Sequence, residues 1–135
     1  MMLAALLLSQ HAHAESLGDV LAQHSAWREA EGVPALRVDA DLAQSAQQRA
    51  EKLATSGTLA AAPEVIGQRL GSLVVVGENV STARSPEAAA ARWLDEQVAC
   101  EGAGCSHYAA AVAPYALAVG CGWAEPVLVC RYGSP

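Results

Sequence analysis

Residues 23–54 read QHSAWREAEGVPALRVDADLAQSAQQRAEKLA, and the way this stretch divides decides the fold. Two helical periodicities flank one stiff break. Leu17, Val20, Leu21, His24 and Trp27 recur at spacings of three and four, which places them on one face of a helix. Ser16 followed by Asp19 predicts the start of that helix. Gly32 stops it, and Pro34 bars its continuation. The residues VPAL, 33–36, then form a tight extended connector. Asp39 predicts the cap of a second helix, with Leu42, Ala46, Ala50 and Leu53 facing inward and Gly57 ending it.

Further along the chain the signals alternate. Residues 58–72, TLAAAPEVIGQRLGS, have no stable period and read as loop with one helical turn. LVVVG, 73–77, is a short buried strand, and ENVSTAR, 78–84, reads as a turn. SPEAAAARWLDEQV, 85–98, opens a third helix with Ser85 as cap, Pro86 at the first position and Glu87 in the first turn. Ala89, Trp93 and Glu96 share one of its faces. HYAAAV (107–112), ALAVGCGW (116–123) and VLVCRY (127–132) are strand-like, with Glu125 and Pro126 marking a turn between the last two. Helices first and strands last, with one strand between, predict an α+β layered domain.

The totals narrow the class. A chain of 135 residues suits one domain, and 53% hydrophobic residues with 16% charged ones can bury a core. The net charge of -6, with eight Lys and Arg scattered singly, argues against a nucleic-acid partner. At the start, Leu3 to Leu8 form a short apolar run, and Ala12, His13 and Ala14 make a small-x-small pattern. This predicts a secretory signal in residues 1–14 and a single domain in residues 15–135, secreted or periplasmic. The run is too short to span a bilayer and no other segment is apolar enough, so no transmembrane segment is expected in the mature chain.

Cys100, Cys105, Cys121 and Cys130 support export. Four cysteines allow three pairings. Local geometry favours Cys100–Cys105, closing the loop CEGAGC, and Cys121–Cys130 across a hairpin. A zinc site is the rival reading, but the spacings of 4, 15 and 8 residues contain no C-x-x-C knuckle.

Taken in order, these pieces resemble the CAP superfamily, the cysteine-rich secretory, antigen 5 and pathogenesis-related-1 proteins, in the minimal single-domain form of bacteria. His24, Arg28, Gly32, Val33, Pro34, Leu36, Asp39, Leu42 and Ala43 match the family's opening, with Ser25 in place of its usual Asn. GENV (77–80) resembles the Gly-Glu-Asn motif, ARWLDE (91–96) the Trp-x-x-Glu helix, and SHYAAAV (106–112) the Gly-His-Tyr-Thr-Gln-Val signature. VGCG and VLVCRY resemble the strands that follow. The resemblance spans about residues 17–132. It implies a three-layer α-β-α sandwich around a small, mainly antiparallel sheet.

The resemblance also implies a cleft of two histidines and two glutamates. Three members carry over: Glu78, Glu96 and His107. The fourth should follow the second helix, where this chain has TSGTLAAAPE (55–64) and no histidine. Ala109 and Ala110 replace the Thr-Gln after Tyr108, and Ala113 replaces a tryptophan. Where Glu78, Glu96 and His107 converge, two carboxylates beside an imidazole can poise an acid–base pair or hold a divalent cation weakly. No resident cofactor is implied. Each residue also has a structural reading: His107 as a hydrogen-bonded residue at a strand start, Glu78 as a tie for a turn, Glu96 as a solvated helix residue. Trp27 and Trp93 read as core, His24 as a satisfied buried histidine, and Tyr108 and Tyr115 as core or cleft lining. No serine or cysteine nucleophile is evident, since Ser106 and His107 would face opposite ways on a strand.

Two functional classes follow. One is a non-catalytic module for an apolar small molecule, a sterol or fatty acid, in a slot along the alanine faces of DLAQSAQQRAEKLA (41–54) and SPEAAAARW (85–93), or for an envelope or extracellular protein. The other is a hydrolase working through Glu78, Glu96 and His107.

Overall fold

A computed structural model describes residues 2–59, 62–99 and 105–135, with side chains from residue 17 onward except at 63, 98 and 99. In chain order it runs α1 (Met2–Glu31), β1 (Arg37–Val38), α2 (Ala40–Ser56), a 3-10 turn (Pro63–Val65), β2 (Arg69–Leu70), β3 (Leu73–Thr82), α3 (Pro86–Leu94), a second 3-10 turn (Asp95–Ala99), α4 (Ser106–Ala111), β4 (Ala118–Ala124) and β5 (Val127–Ser134). The strands form one sheet in the order β1-β4-β5-β3-β2. Every pairing is antiparallel except that of β1 with β4. One face is covered by α2, and the other by α1, α3 and α4. This is the three-layer α-β-α sandwich the resemblance implied.

The second helix follows the expected signals. The Asp39 carboxylate accepts the Leu42 N–H at 2.9 Å, the Gly57 N–H closes the last turn on the Leu53 carbonyl, and Leu42, Ala46, Ala50 and Leu53 are buried. Two glycines of β4 decide how close α2 lies to the sheet. A Cβ on Gly120 would sit 2.0 Å from the Ala43 backbone nitrogen, and one on Gly122 would sit 2.3 Å from the Gln47 Cα. Only glycine permits that approach. Gln47 then clips the helix to the strand, accepting the Trp123 N–H at 2.8 Å and donating to its carbonyl at 2.9 Å.

The opposite layer is built on α1, α3 and α4. The Ser85 hydroxyl accepts the Ala88 N–H to open α3, whose Ala89, Ala90 and Trp93 are buried against α1 and the sheet. The small faces of α2 and α3 are therefore packing surfaces, and the slot expected along them is filled. Alanine there lets helix and sheet approach, and closeness removes the gap.

Three local readings are corrected. Residues 78–82 continue β3, in register with Val127–Arg131 of β5, where a turn was expected. Asn79 and Ser81 are buried there, and Asn79 donates to the His107 carbonyl and to Tyr132 Oη. Ser16 lies within α1, which runs from Met2. HYAAAV begins in helix α4, not in a strand. Alanine is the best helix former, and both ends of this short helix are satisfied from afar. The Glu96 carboxylate accepts the N–H groups of His107 and Tyr108 at its N-terminus. At its C-terminus the Arg28 guanidinium donates to the carbonyls of Ala111 and Ala113. An anion at the first turn and a cation at the last also suit the helix dipole.

Candidate functional site

Glu96 and His107 come together. The second 3-10 turn carries Glu96 to the start of α4, where its Oε2 lies 2.6 Å from His107 Nδ1. Its Oε1 accepts the His107 and Tyr108 backbone N–H groups at 2.9 and 3.3 Å. The imidazole stacks over Trp93, with ring planes 10° apart and centroids 6.4 Å apart. Because a carboxylate only accepts, Nδ1 carries a proton, and in the neutral ring Nε2 is the acceptor. The His107 side chain is 41% exposed, so that acceptor belongs to a solvent-accessible ring. A carboxylate orienting a histidine in this way is the geometry of a proton-transfer or ligand-binding imidazole.

Glu78 does not join them. Adjacent strand residues point to opposite faces, and Asn79 is the one that reaches the α4 side. Glu78 lies towards α2, where its Oε2 accepts from Arg131 Nε at 2.8 Å and its Oε1 accepts the Ala62 N–H at 3.4 Å. Arg131 in turn donates to the Ser45 hydroxyl. The Glu78 side chain is 5% exposed, so its charge is matched inside the fold. The implied cluster of Glu78, Glu96 and His107 is thus divided by the sheet. Among the described residues, no group of three His, Cys, Asp or Glu side chains is placed to hold a metal ion.

Behind the pair runs a buried polar chain that the sequence reading did not assemble. Asn79 Nδ2 donates to the His107 carbonyl at 2.8 Å and to Tyr132 Oη at 3.1 Å. Tyr132 Oη lies 2.7 Å from His24 Nε2, and His24 Nδ1 lies 2.8 Å from the Val20 carbonyl. A carbonyl only accepts, so the His24 proton is on Nδ1 and Tyr132 donates to Nε2. The chain is satisfied only with His24 neutral. Burial pulls the His24 pKa down from 6.5 to about 4; the hydrogen bond to Val20 opposes this, and nearby Arg28 adds to it. Burial also pushes the Tyr132 hydroxyl well above its ordinary value, against the Asn79 hydrogen bond and Arg28.

Arg28 is 0% exposed and contacts four carbonyls: Pro34 at 2.6 Å, Ala111 at 3.1 Å, and Ala113 and Ala116 at 3.0 Å each. It fastens the connector and the segment after α4 to α1. Burial pulls its pKa down, opposed by Tyr132. The two tyrosines part company: Tyr108 is buried, while Tyr115 is 62% exposed. Burial, with the hydrogen bond to Glu31, pushes the Tyr108 hydroxyl up to about 12. His24, Trp27 and Trp93 are core residues, as expected. Cys121 and Cys130 oppose each other in the β4–β5 ladder and are joined by a disulfide. Cys105 is disulfide-bonded as well, and Cys100 lies outside the described residues.

A profile of the cysteine-rich secretory protein family, the CAP proteins, matches residues 21–132. The chain belongs to that family. No curated protein sequence matches it. Among solved structures, an extracellular protein containing an SCP domain from Bacillus anthracis superposes with a TM-score of 0.73 at 14% identity, over 91% of this chain and 41% of that one. The CAP chain thus spans well under half the length of the Bacillus protein. An outer surface protein of Borrelia burgdorferi gives 0.71 at 17% identity, over 89% and 92% of the two chains. Venom allergen-like protein 4 of Schistosoma mansoni gives 0.69 at 20% identity, over 86% of each. At these identities the likeness is one of fold.

Sequence reasoning found the Glu96–His107 pair through the family motifs but missed Asn79, Tyr132 and Arg28 as its setting, and Arg131 as the partner of Glu78 on the other face. For Asn79, Arg131 and Tyr132 the one available signal was polarity inside apolar runs, in GENV and VLVCRY, and Arg28 was marked only by its match to the family's opening.

Proposed function

We propose that this CAP domain is an exported, non-catalytic binding module for an anionic amphiphile, an acyl chain ending in a carboxylate. The observation that carries the reading is an open groove of about 630 Å³ between the end of β3, α3 and the β4–β5 turn. Ala83, Ala88 and Pro126 supply apolar surface, and Arg84 and Arg92 supply cations for a carboxylate, outnumbering Glu125, the one acid of the lining. Burying an acyl chain is worth roughly 25 cal/mol per Å² of apolar surface, so the short apolar wall contributes to binding alongside the two arginines. The groove uses the exposed side of α3, at Ala88 and Arg92, and not its buried face at Ala89 and Ala90. Export is supported by the small-x-small pattern at Ala12–Ala14 and by the disulfides. It is consistent with the extracellular and outer-surface relatives. Among the described residues, no helix is long and apolar enough to cross a membrane.

The carboxylates favour binding over turnover. Glu78 is spent on Arg131, and Glu96 on capping α4 and orienting His107. Divalent cations should bind weakly, since Glu96 and His107 alone share one location; zinc calorimetry on native protein and His107→Ala tests this. One observation favours the hydrolase alternative, namely the accessible, carboxylate-oriented imidazole. It lacks a hydroxyl partner among the described residues, so it would have to activate water.

Native mass spectrometry of protein purified from cells, followed by titration with a labelled fatty acid and a labelled sterol, tests the reading. Saturable fatty-acid binding with weaker sterol binding is expected. An apo spectrum with no binding of either would end it. Peptide or ester cleavage abolished by Glu96→Gln would install the enzyme instead.

A further inference from the structure

A second pocket lies on the other face of the sheet, between α2 and the 3-10 turn Pro63–Val65. Ser45, Gln48, Arg49 and Lys52 stand along one side of α2, at the helical spacings of three and four. Gln68 closes one end, and Arg131 rises from the sheet to form the floor. The cavity is about 260 Å³. Three of its side chains are cationic in a chain of net charge -6. The sole acid in its lining is Glu64, which is exposed.

Arg131 makes the pocket more than a patch of surface charge. Its guanidinium is held from behind by Glu78, through Nε at 2.8 Å, and from the side by the Ser45 hydroxyl. Arg131 is buried at 9% exposure, so it is oriented before any ligand arrives. A fixed guanidinium whose charge Glu78 offsets, hydroxyl and amide donors, and the cations Arg49 and Lys52 suit an acceptor-rich anion. An acyl chain finds little apolar wall here, which separates this pocket from the groove beside α3.

We propose that this pocket binds a tetrahedral oxyanion of the phosphate type, free or as the head of a small phosphomonoester. The division of the family glutamates gains a purpose from this. Glu78 positions Arg131 and is not itself a ligand-contacting group. Glu64 at the rim weakens binding and sets the electrostatic limit on affinity.

The test uses the whole mature chain. Thermal unfolding and calorimetry are run with inorganic phosphate, with glycerol phosphate, and with sodium chloride or acetate at matched ionic strength. Lys52 is exposed, so Lys52→Gln leaves the fold intact and removes one cation. Phosphate is expected to raise Tm where chloride and acetate do not, and Lys52→Gln to weaken it about tenfold. Glu64→Gln should tighten it a few-fold, a change of sign that loss of structure would not produce. Tighter binding of glycerol phosphate than of phosphate would assign the ester as the ligand form, and the reverse order the free anion. No phosphate-specific shift at roughly 10 mM would overturn the proposal. So would a shift undiminished in both Lys52→Gln and Arg49→Gln.

Discussion

Acidification should unfold this CAP domain through His24. Its ring is 1% exposed and sits between the Val20 carbonyl and the Tyr132 hydroxyl. Protonation would put a second N–H against Tyr132, leaving the hydroxyl hydrogen without an acceptor, and would place a cation near Arg28. The folded pKa is depressed from 6.5 to about 4. The unfolded chain therefore takes up a proton below pH 6.5, while the folded one resists until about pH 4. Stability from neutral His24 is complete above the upper value and drains away through this window. Each pKa unit is worth about 1.4 kcal/mol, so His24 alone should remove about 2–3 kcal/mol between pH 7.5 and 4.5. Urea unfolding at a series of pH values, followed by tryptophan fluorescence, measures it. His24→Gln carries every other titrating group, so the difference between the two pH profiles isolates the ring. Parallel profiles would refute the reasoning, whatever the absolute cost of the substitution.

Other outcomes follow from the same packing. Arg28→Met strips the donor from four carbonyls, three of them buried, and should cost about 3–5 kcal/mol in chemical denaturation, with amide exchange rising first in α4. Gly120→Ala drives a methyl into the α2 backbone and should cost more than about 3 kcal/mol, or prevent folding, as expression and circular dichroism would show. Replacing Cys121 and Cys130 together opens a short loop and should cost about 2–3 kcal/mol in urea unfolding; unchanged stability would contradict the chain-entropy argument.

Much of the fold was legible because its signals are local. Asp39 and Gly57 bracket α2, Ser85 and Pro86 open α3, and the period of Leu17, Val20, Leu21, His24 and Trp27 marks the inner face of α1. What escaped has distant causes. The helix α4 is capped by Glu96, 11 residues away, and by Arg28, 83 residues away, so no local rule finds it. Where a turn was expected at 78–84, residues 78–82 are strand, and Asn79 meets Tyr132 across 53 residues. Glu78 turned from the expected cluster because its register partner in β5 is Arg131. The alanine faces could pack or leave a slot, and Gly120 and Gly122 settled the matter for α2 by removing two side chains from beneath it.

The central claim is that binding resides in the groove beside α3 and not at the Glu96–His107 pair. Equilibrium titration of one labelled fatty acid into wild type, the double variant Arg84→Gln/Arg92→Gln, and His107→Ala addresses it most directly. Both arginines are exposed, so the double variant keeps the fold. The account predicts that losing both arginines weakens binding about tenfold or more, while His107→Ala changes it by less than about twofold. Unchanged affinity in the arginine variant, with binding lost in His107→Ala, would contradict it.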